Sequence, residues 1–295
     1  MNGRLRLPTV PNYTFPGCEG SQSLVVGGAG GGVGTAVVKL LLQSGSQVVV
    51  VDRDEGRLNE LARAYGADGD LRPVVADVAT EHGLQTLRET VRTSRLVTRH
   101  LVNVIGGVTP AEIGGFLDLS KQGWSKALET NTDYALWTCQ IVARELIAAG
   151  VGGGSMVNLT VADATRAMPW FSGYAAARSA LESMTRTMAI ELAGNGIRCN
   201  SVGWGLIHSP RMHPGDGDSS ELEKLIPMGR RGAVSEIATC VAFLLSGLAS
   251  YVTGQNIAAD GGLSGIGPHY AGQGHRPVFL ESEEALRAVR KAGDG

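Results

Sequence analysis

With 295 residues and 30.8 kDa, the chain is long enough to bury one large α/β core, and a net charge of −2 with a pI near 6.3 gives no global attraction to nucleic acid or to an anionic membrane. Its start, MNGRLRLPTVPNYTFPGCEG, lacks the continuous apolar core of a signal peptide, and no apolar run reaches the ~18 residues of a membrane span, so a cytoplasmic location is expected. Cys18, Cys139, Cys199 and Cys240 have no metal-ligand spacing and are expected as free thiols.

Residues 1–20 form an arm that either packs on the body or stays loose. Residues 23–26 read as a strand that enters the glycine cluster of LVVGGAGGGVG, residues 24–34, and leaves into an apolar helix over 36–42. A strand, a tight turn and a helix start in that order place unpaired backbone N–H groups and the positive end of a helix dipole together, which favours phosphate oxygens. Gly28, Gly32 and Gly34 leave room for a diphosphate to approach. The β-branched run 47–51 suits a strand buried on both faces, with Asp52 at its carboxyl end. Glu55 to Tyr65 is helical, 73–76 is a strand closed by Asp77, 82–93 is helical, and 101–105 is a fourth strand followed by Gly106 and Gly107.

A long helical region over 121–149 carries Asn131 near its middle. Gly152, Gly153 and Gly154 break it before a strand at 155–159, and a second long helix over 171–193 contains Tyr174 and Arg178. Strands at 197–202 and 255–259 flank a helix at 235–246, and the irregular stretch 204–231 reads as a functional lid. Regular strand–helix alternation predicts a Rossmann-like, doubly wound parallel sheet of about seven strands with helices on both faces. The organisation expected is an arm at 1–20, one domain at 21–262, and an extension at 263–295.

Several of these segments resemble the short-chain dehydrogenase/reductase family. GGAGGGVG resembles its TGxxxGxG turn, Asp77-Val78 its adenine-side Asp, Asn103-Val104-Ile105-Gly106 its NNAG strand end, and Asn131 its helix Asn. Tyr174-Ala-Ala-Ala-Arg178 lies where the family has YxxxK, Asn200-Ser-Val-Gly-Trp204-Gly205 is similar to its N-x-V-x-P-G turn, and IPMGRRGAVSEIATCVAFLLS with YVTGQNIAADGG is close to its C-terminal signature. The resemblance implies a nicotinamide cofactor and a homo-oligomer, tetramer or dimer. It places Gly28, Gly32, Val33, Gly34, Asp52, Arg53, Asp77, Val78, Asn103, Gly106, Tyr174, Arg178, Gly205, Ile207 and Ser209 at the cofactor. A carboxylate at Asp52 accepts hydrogen bonds from ribose hydroxyls and repels a 2′-phosphate, and Ala29-Gly30-Gly31 carries no basic residue, so NAD is expected over NADP despite the adjacent Arg53.

In the family the Tyr is the general acid/base and the Lys binds the nicotinamide ribose and lowers the Tyr pKa. Tyr174 and Arg178 are i and i+4, so they share a helix face. An Arg still offers charge that favours tyrosinate, but its fork is larger than an ammonium and does not deprotonate to relay a proton. No lysine occurs between Lys126 and Lys224 to replace it. The family's Ser, thirteen residues before the Tyr, falls on Val161. With one extra loop residue Thr160 would instead offer its hydroxyl to the substrate oxygen. Asn131 is where the family holds a relay water.

Met168, Trp170, Phe171, Trp204, His208, Met212 and His213 gather near the expected pocket mouth and suit a bulky, apolar or aromatic substrate. No third ligand accompanies the two histidines, so no metal site is expected. The expected function is an NAD(H)-dependent oxidoreductase interconverting a secondary alcohol and a ketone, with Tyr174, Arg178, Asn131 and Thr160 as the catalytic set. The alternatives are a non-redox enzyme on this scaffold, such as a dehydratase, isomerase or cyclase, and a catalytically silent NAD-binding protein. The extension is expected to cover a neighbouring subunit or its pocket.

Overall fold

Seven parallel strands form one sheet in the order β3-β2-β1-β4-β5-β6-β9, as seen in a computed structural model that describes residues 7–209, 223–265 and 287. The strands are β1 (Gln22–Val26), β2 (Gln47–Asp52), β3 (Leu71–Val75), β4 (Thr98–Asn103), β5 (Gly154–Val161), β6 (Ile197–Trp204) and β9 (Asn256–Ala259). A separate two-residue pair, β7 (Ile207–His208) with β8 (Gly232–Ala233), lies within the stretch expected as a lid. The helices are α1 (Val33–Gln43), α2 (Glu55–Tyr65), α3 (Glu81–Arg92), α4 (Lys121–Leu128), α5 (Tyr134–Ala148), α6 (Ser172–Leu192) and α7 (Val234–Leu245).

Right-handed crossovers between parallel strands put helices on both faces. Val48 and Val50 of β2 face α1, α2 and α7, whereas Val49 and Val51 face the layer built by α3, α5 and α6. That explains a run of four consecutive valines: both faces of β2 are dry. β3 is the sheet edge and is half exposed, which is where Pro73 is tolerated because no further strand needs its missing N–H. The strand order reverses direction between β1 and β4, so a crevice opens there beyond the carboxyl ends, the usual ligand position in such sheets.

Two expectations need revision. The helical region 121–149 is not continuous: Glu129–Asp133 is a π-helical turn between α4 and α5, and Asn131 sits in it fully buried. Such turns widen a helix locally and recur at functional sites. The arm packs rather than staying loose, at least from Phe15 to Cys18. The Phe15 N–H donates to Ser44 Oγ at 3.0 Å, the Pro16 carbonyl accepts from Gly247 N at 2.8 Å, and Cys18 is completely buried. All four cysteines are free, and no described helix is long and apolar enough to cross a membrane. The extension from 266 onward, Arg287 apart, lies outside the described residues, as does the expectation for its role.

One buried group on β4 sets a pH limit on this fold. His100 is 5% exposed, and burial, reinforced by the charges of Arg198 and Arg99, pushes its pKa down to about 4 against a partial upward pull from the Gly17 backbone. A depressed folded-state pKa means that the unfolded chain binds the extra proton. The stabilisation is therefore complete above about 6.5 and is lost as pH falls towards 4. The expected loss is about 3 kcal/mol. Urea midpoints at pH 7 and pH 4.5 should differ by that amount more in the native chain than in His100→Phe.

Candidate active site

The glycine turn is held from both ends. Thr35 Oγ1, in the first turn of α1, donates to the Gly28 carbonyl at 2.7 Å and accepts from Gly31 N at 2.9 Å. Gly28 and Gly34 are packed so closely that a methyl group would lie 2.7 Å from Val50 Cγ1 and from the Gly27 carbonyl oxygen, respectively. Gly32 is the opposite case. It caps α1, and nothing lies within 4 Å of the place where its Cβ would be. α1 has neither a side-chain cap nor an acidic residue in its first turn, so its leading N–H groups and dipole are available to an anion. Val33 follows at the first helical position, 5% exposed.

Asp52 ends β2 beside this turn. Its Oδ2 accepts from Ala29 N at 3.2 Å and its Oδ1 from Asp54 N at 3.3 Å, so the carboxylate braces the loop and keeps its remaining lone pairs. Arg53 points away, 79% exposed, and reaches Asp77 Oδ2 at 3.8 Å. Asp77 Oδ1 in turn accepts from Ala79 N at 3.1 Å, and Val78 is buried behind it. Asp52, Arg53 and Asp77 thus line one side of the crevice, as expected of an adenosine end.

Asn103 departs from its expected role. Its side chain is fully buried in the core: Nδ2 donates to Asn158 Oδ1 at 2.9 Å and to Cys139 Sγ at 3.4 Å, while Oδ1 accepts from Thr138 Oγ1 at 2.8 Å. Asn158 Nδ2 continues the chain to Thr185 Oγ1 at 2.9 Å. With those bonds made, Asn103 has no side-chain group to offer a cofactor, and only its backbone lies near the crevice.

Gly106 and Gly107 follow β4. Asn131 reaches across from the π turn, accepting from Gly107 N at 2.9 Å and donating to Gly107 O at 3.0 Å and to Ala127 O at 2.9 Å. Both amide hydrogens are used, so the side chain braces the Gly106–Gly107 segment and retains one Oδ1 lone pair for a water. Gly106 has φ +155°, and a methyl there would lie 1.7 Å from Arg178 Nη2 and 2.8 Å from Asn131 Oδ1. The missing side chain is the space that the guanidinium fills.

Arg178 is fully buried, with Nη1 donating to the Leu159 carbonyl at 2.8 Å. Its guanidinium carbon stands 5.3 Å from the centroid of the Tyr174 ring and 6.0 Å from that of Trp204, within cation–π range of both. Nε and Nη2 have no hydrogen-bond partner among the described residues. Tyr174 is 9% exposed and packs with Val161, Ala164, Met168, Phe171 and Trp204.

Thr160 is corrected. It is completely buried, and its hydroxyl lies 3.3 Å from Glu182 Oε1 and 3.5 Å from the Arg178 carbonyl, behind α6 rather than in the crevice. Val161 is the residue beside Tyr174. Strand parity carried this signal: Met156 faces the α5 and α6 layer as Asn158 and Thr160 do, and Val157 and Leu159 face the other way with Val161. Sequence reasoning also missed Glu182, 3% exposed, whose carboxyl is pushed up by burial despite the Thr160 bond.

Gly205 is pressed against Asp260, where a methyl would lie 2.6 Å from Cβ, and Ile207 pairs with Gly232 at the foot of the lid stretch. Ser209 is half-buried just beyond, while Met212 and His213 lie outside the described residues. Trp170, 62% exposed at φ +72°, stands on the loop after β5, and its carbonyl accepts from Gly114 N at 3.0 Å. The crevice therefore combines a phosphate-accepting helix start, a carboxylate, and a phenol with a fixed cation under an aromatic wall.

A family model described as enoyl-(acyl carrier protein) reductase matches residues 28–264. The chain is 32% identical over 238 residues to a cyclohexanol dehydrogenase of Acinetobacter sp. (strain SE19), covering 80% of this chain and 92% of that one. It is also 32% identical over 243 residues to a galactitol 2-dehydrogenase (L-tagatose-forming) of Cereibacter sphaeroides, covering 80% and 92%. The crystal structure of an acetoin dehydrogenase from Enterobacter cloacae superposes with a TM-score of 0.75 at 31% identity, covering 85% of this chain and 98% of that one. The chain belongs to the short-chain dehydrogenase/reductase family. The relatives named here are oxidoreductases.

Proposed function

We propose that this protein is an NAD(H)-dependent oxidoreductase that interconverts a secondary alcohol and a ketone on a bulky, apolar or aromatic small molecule. The observation that carries the reading is the buried contact of Tyr174 with Arg178 at the carboxyl end of the sheet, on the same crevice as Asp52 and the glycine turn. The residues present fit a dinucleotide: open space over Gly32, uncapped N–H groups at α1, and two unpartnered guanidinium nitrogens buried under the crevice.

The α1 start would take the diphosphate, Asp52 the adenosine ribose hydroxyls, and Arg178 Nε or Nη2 the nicotinamide ribose. When bound, the nicotinamide gives or takes the hydride at the substrate carbon. Tyr174 holds the proton that moves to or from the substrate oxygen, and its hydroxyl makes no hydrogen bond among the described residues that would compete. Arg178 fixes positive charge beside the phenol and takes no part in proton relay, because a guanidinium does not deprotonate. Val161 gives the substrate oxygen no donor, so Tyr174 is its one side-chain donor in this reading, and the wall of Met168, Phe171 and Trp204 selects for apolar bulk. Exposed Trp137 and Ile147 on α5 and Ile190 on α6 support a homo-oligomer built on those helices.

A fluorescence titration with NADH and, in parallel, NADPH tests the cofactor reading, followed by a screen of ketones and alcohols. Micromolar NADH binding with much weaker NADPH binding is expected. Asp52→Asn should weaken NADH about tenfold and narrow the gap to NADPH. Tighter NADPH than NADH would overturn the NAD assignment. The replacement of a hydroxyl by Val161 favours one second reading, a non-redox reaction in which Tyr174 and Arg178 act on a substrate directly; absence of binding by either dinucleotide would put it first.

A further inference from the structure

A second cleft of about 680 Å³ opens at the other end of the sheet, where β4, β5 and β6 begin. It is roughly 20 Å from the crevice, the length of a six-residue strand. We propose that this cleft is a binding site for a small monocarboxylate with an apolar body, held by His100 and Arg99.

His100 lines the cleft and is 95% buried, being 5% exposed, yet neither ring nitrogen has a hydrogen-bond partner among the described residues. Buried side-chain nitrogens in folded proteins are nearly always paired, so an unpartnered imidazole facing a cavity marks a place for a ligand. A neutral imidazole offers one N–H donor and one acceptor. A carboxylate oxygen takes the donor, and a water or a carboxylic O–H satisfies the acceptor.

The charge around the cleft selects the sign of the ligand. Arg99 and Arg198 line it, and no aspartate or glutamate does. The two arginines play different parts. Arg198 has both η nitrogens committed to main-chain carbonyls: Nη1 to Leu244 at 2.7 Å and Val252 at 3.3 Å, and Nη2 to Leu245 and Ser246, each at 3.1 Å. It closes the end of α7 and contributes charge but few donors. Arg99 uses one donor on the Gly152 carbonyl at 3.3 Å, and the rest of its five are available to a carboxylate.

The size and the remaining walls select the body. A volume in the ordinary small-molecule range exceeds what an inorganic ion fills. Ile197 and Leu245 give apolar floor, and the fully exposed ring of Tyr251 stands at the rim.

Isothermal titration of the full chain with sodium benzoate, alongside acetate and inorganic phosphate, tests this. Saturable benzoate binding is expected, with acetate and phosphate much weaker. Both His100→Phe and Arg99→Gln should weaken benzoate at least ~tenfold while leaving NADH affinity unchanged. Arg99 is partly exposed and bonded only to one loop carbonyl, so its variant remains informative if the His100 variant does not fold. Benzoate that fails to saturate, phosphate that binds in preference to it, or benzoate affinity indifferent to Arg99→Gln would each overturn the proposal.

Discussion

Replacing Tyr174 by Phe is expected to lower kcat by about 10² to 10⁴, the span that a positioned general acid/base contributes. The effect should sit at the upper end of that range, because Val161 leaves no neighbouring hydroxyl to take over the substrate oxygen. Folding should be nearly unaffected. The ring keeps its packing against Met168, Phe171 and Trp204, and no described group loses a partner when the hydroxyl goes. Cofactor affinity should change little, since the 5.3 Å guanidinium contact is to the ring face and survives in Phe. Rates measured under saturating substrate, with urea midpoints and NADH titration on the same preparation, separate these outcomes. A Phe variant with full turnover would remove Tyr174 from the chemistry.

Gly106→Ala is expected to be the most damaging single methyl in the crevice. The added carbon would stand 1.7 Å from Arg178 Nη2, and the backbone at φ +155° is one that alanine rarely adopts. The guanidinium must move, which breaks its bond to the Leu159 carbonyl and takes the cation away from Tyr174 and Trp204, while the same methyl presses on Asn131 Oδ1. A stability loss of about 2 to 4 kcal/mol should accompany a fall in kcat/KM of at least ~100-fold. The double variant Gly106→Ala with Arg178→Ala gives the check. If the clash is with the guanidinium, shortening Arg178 recovers much of the stability and none of the activity.

Much of the fold was legible because each strand and helix carries its own period. The four valines of β2 and the spaced leucines of α2 need no tertiary knowledge to be read. The π turn at Glu129–Asp133 was invisible for the same reason: apolar positions continue on both sides, and one extra residue per turn leaves no mark in composition. In the site, motif letters gave positions but not directions. Asn103 stands where the resemblance puts it, yet its amide turns into the core. Thr160 attracted attention as the nearest hydroxyl, although a one-residue offset along a strand reverses the face. The seat of the Arg178 side chain depends on Gly106, 72 residues earlier in the chain, and on the Leu159 carbonyl, contacts that only the packed sheet brings together.

The line of Thr138, Asn103, Asn158 and Thr185 has a consequence for assembly of the sheet. Asn103 and Asn158 are direct partners across β4 and β5, and their amides meet at 2.9 Å only in that alignment. Sliding β5 by one residue would leave a hydroxyl and two amides buried without partners, at roughly 1 to 3 kcal/mol for each. Valine and leucine neighbours, by contrast, would accept a shift of two residues with little complaint, since apolar contacts are not directional. The four polar side chains therefore act as an alignment key for the two central strands, and through β4 and β5 they set where Gly106 and Val161 emerge at the rim.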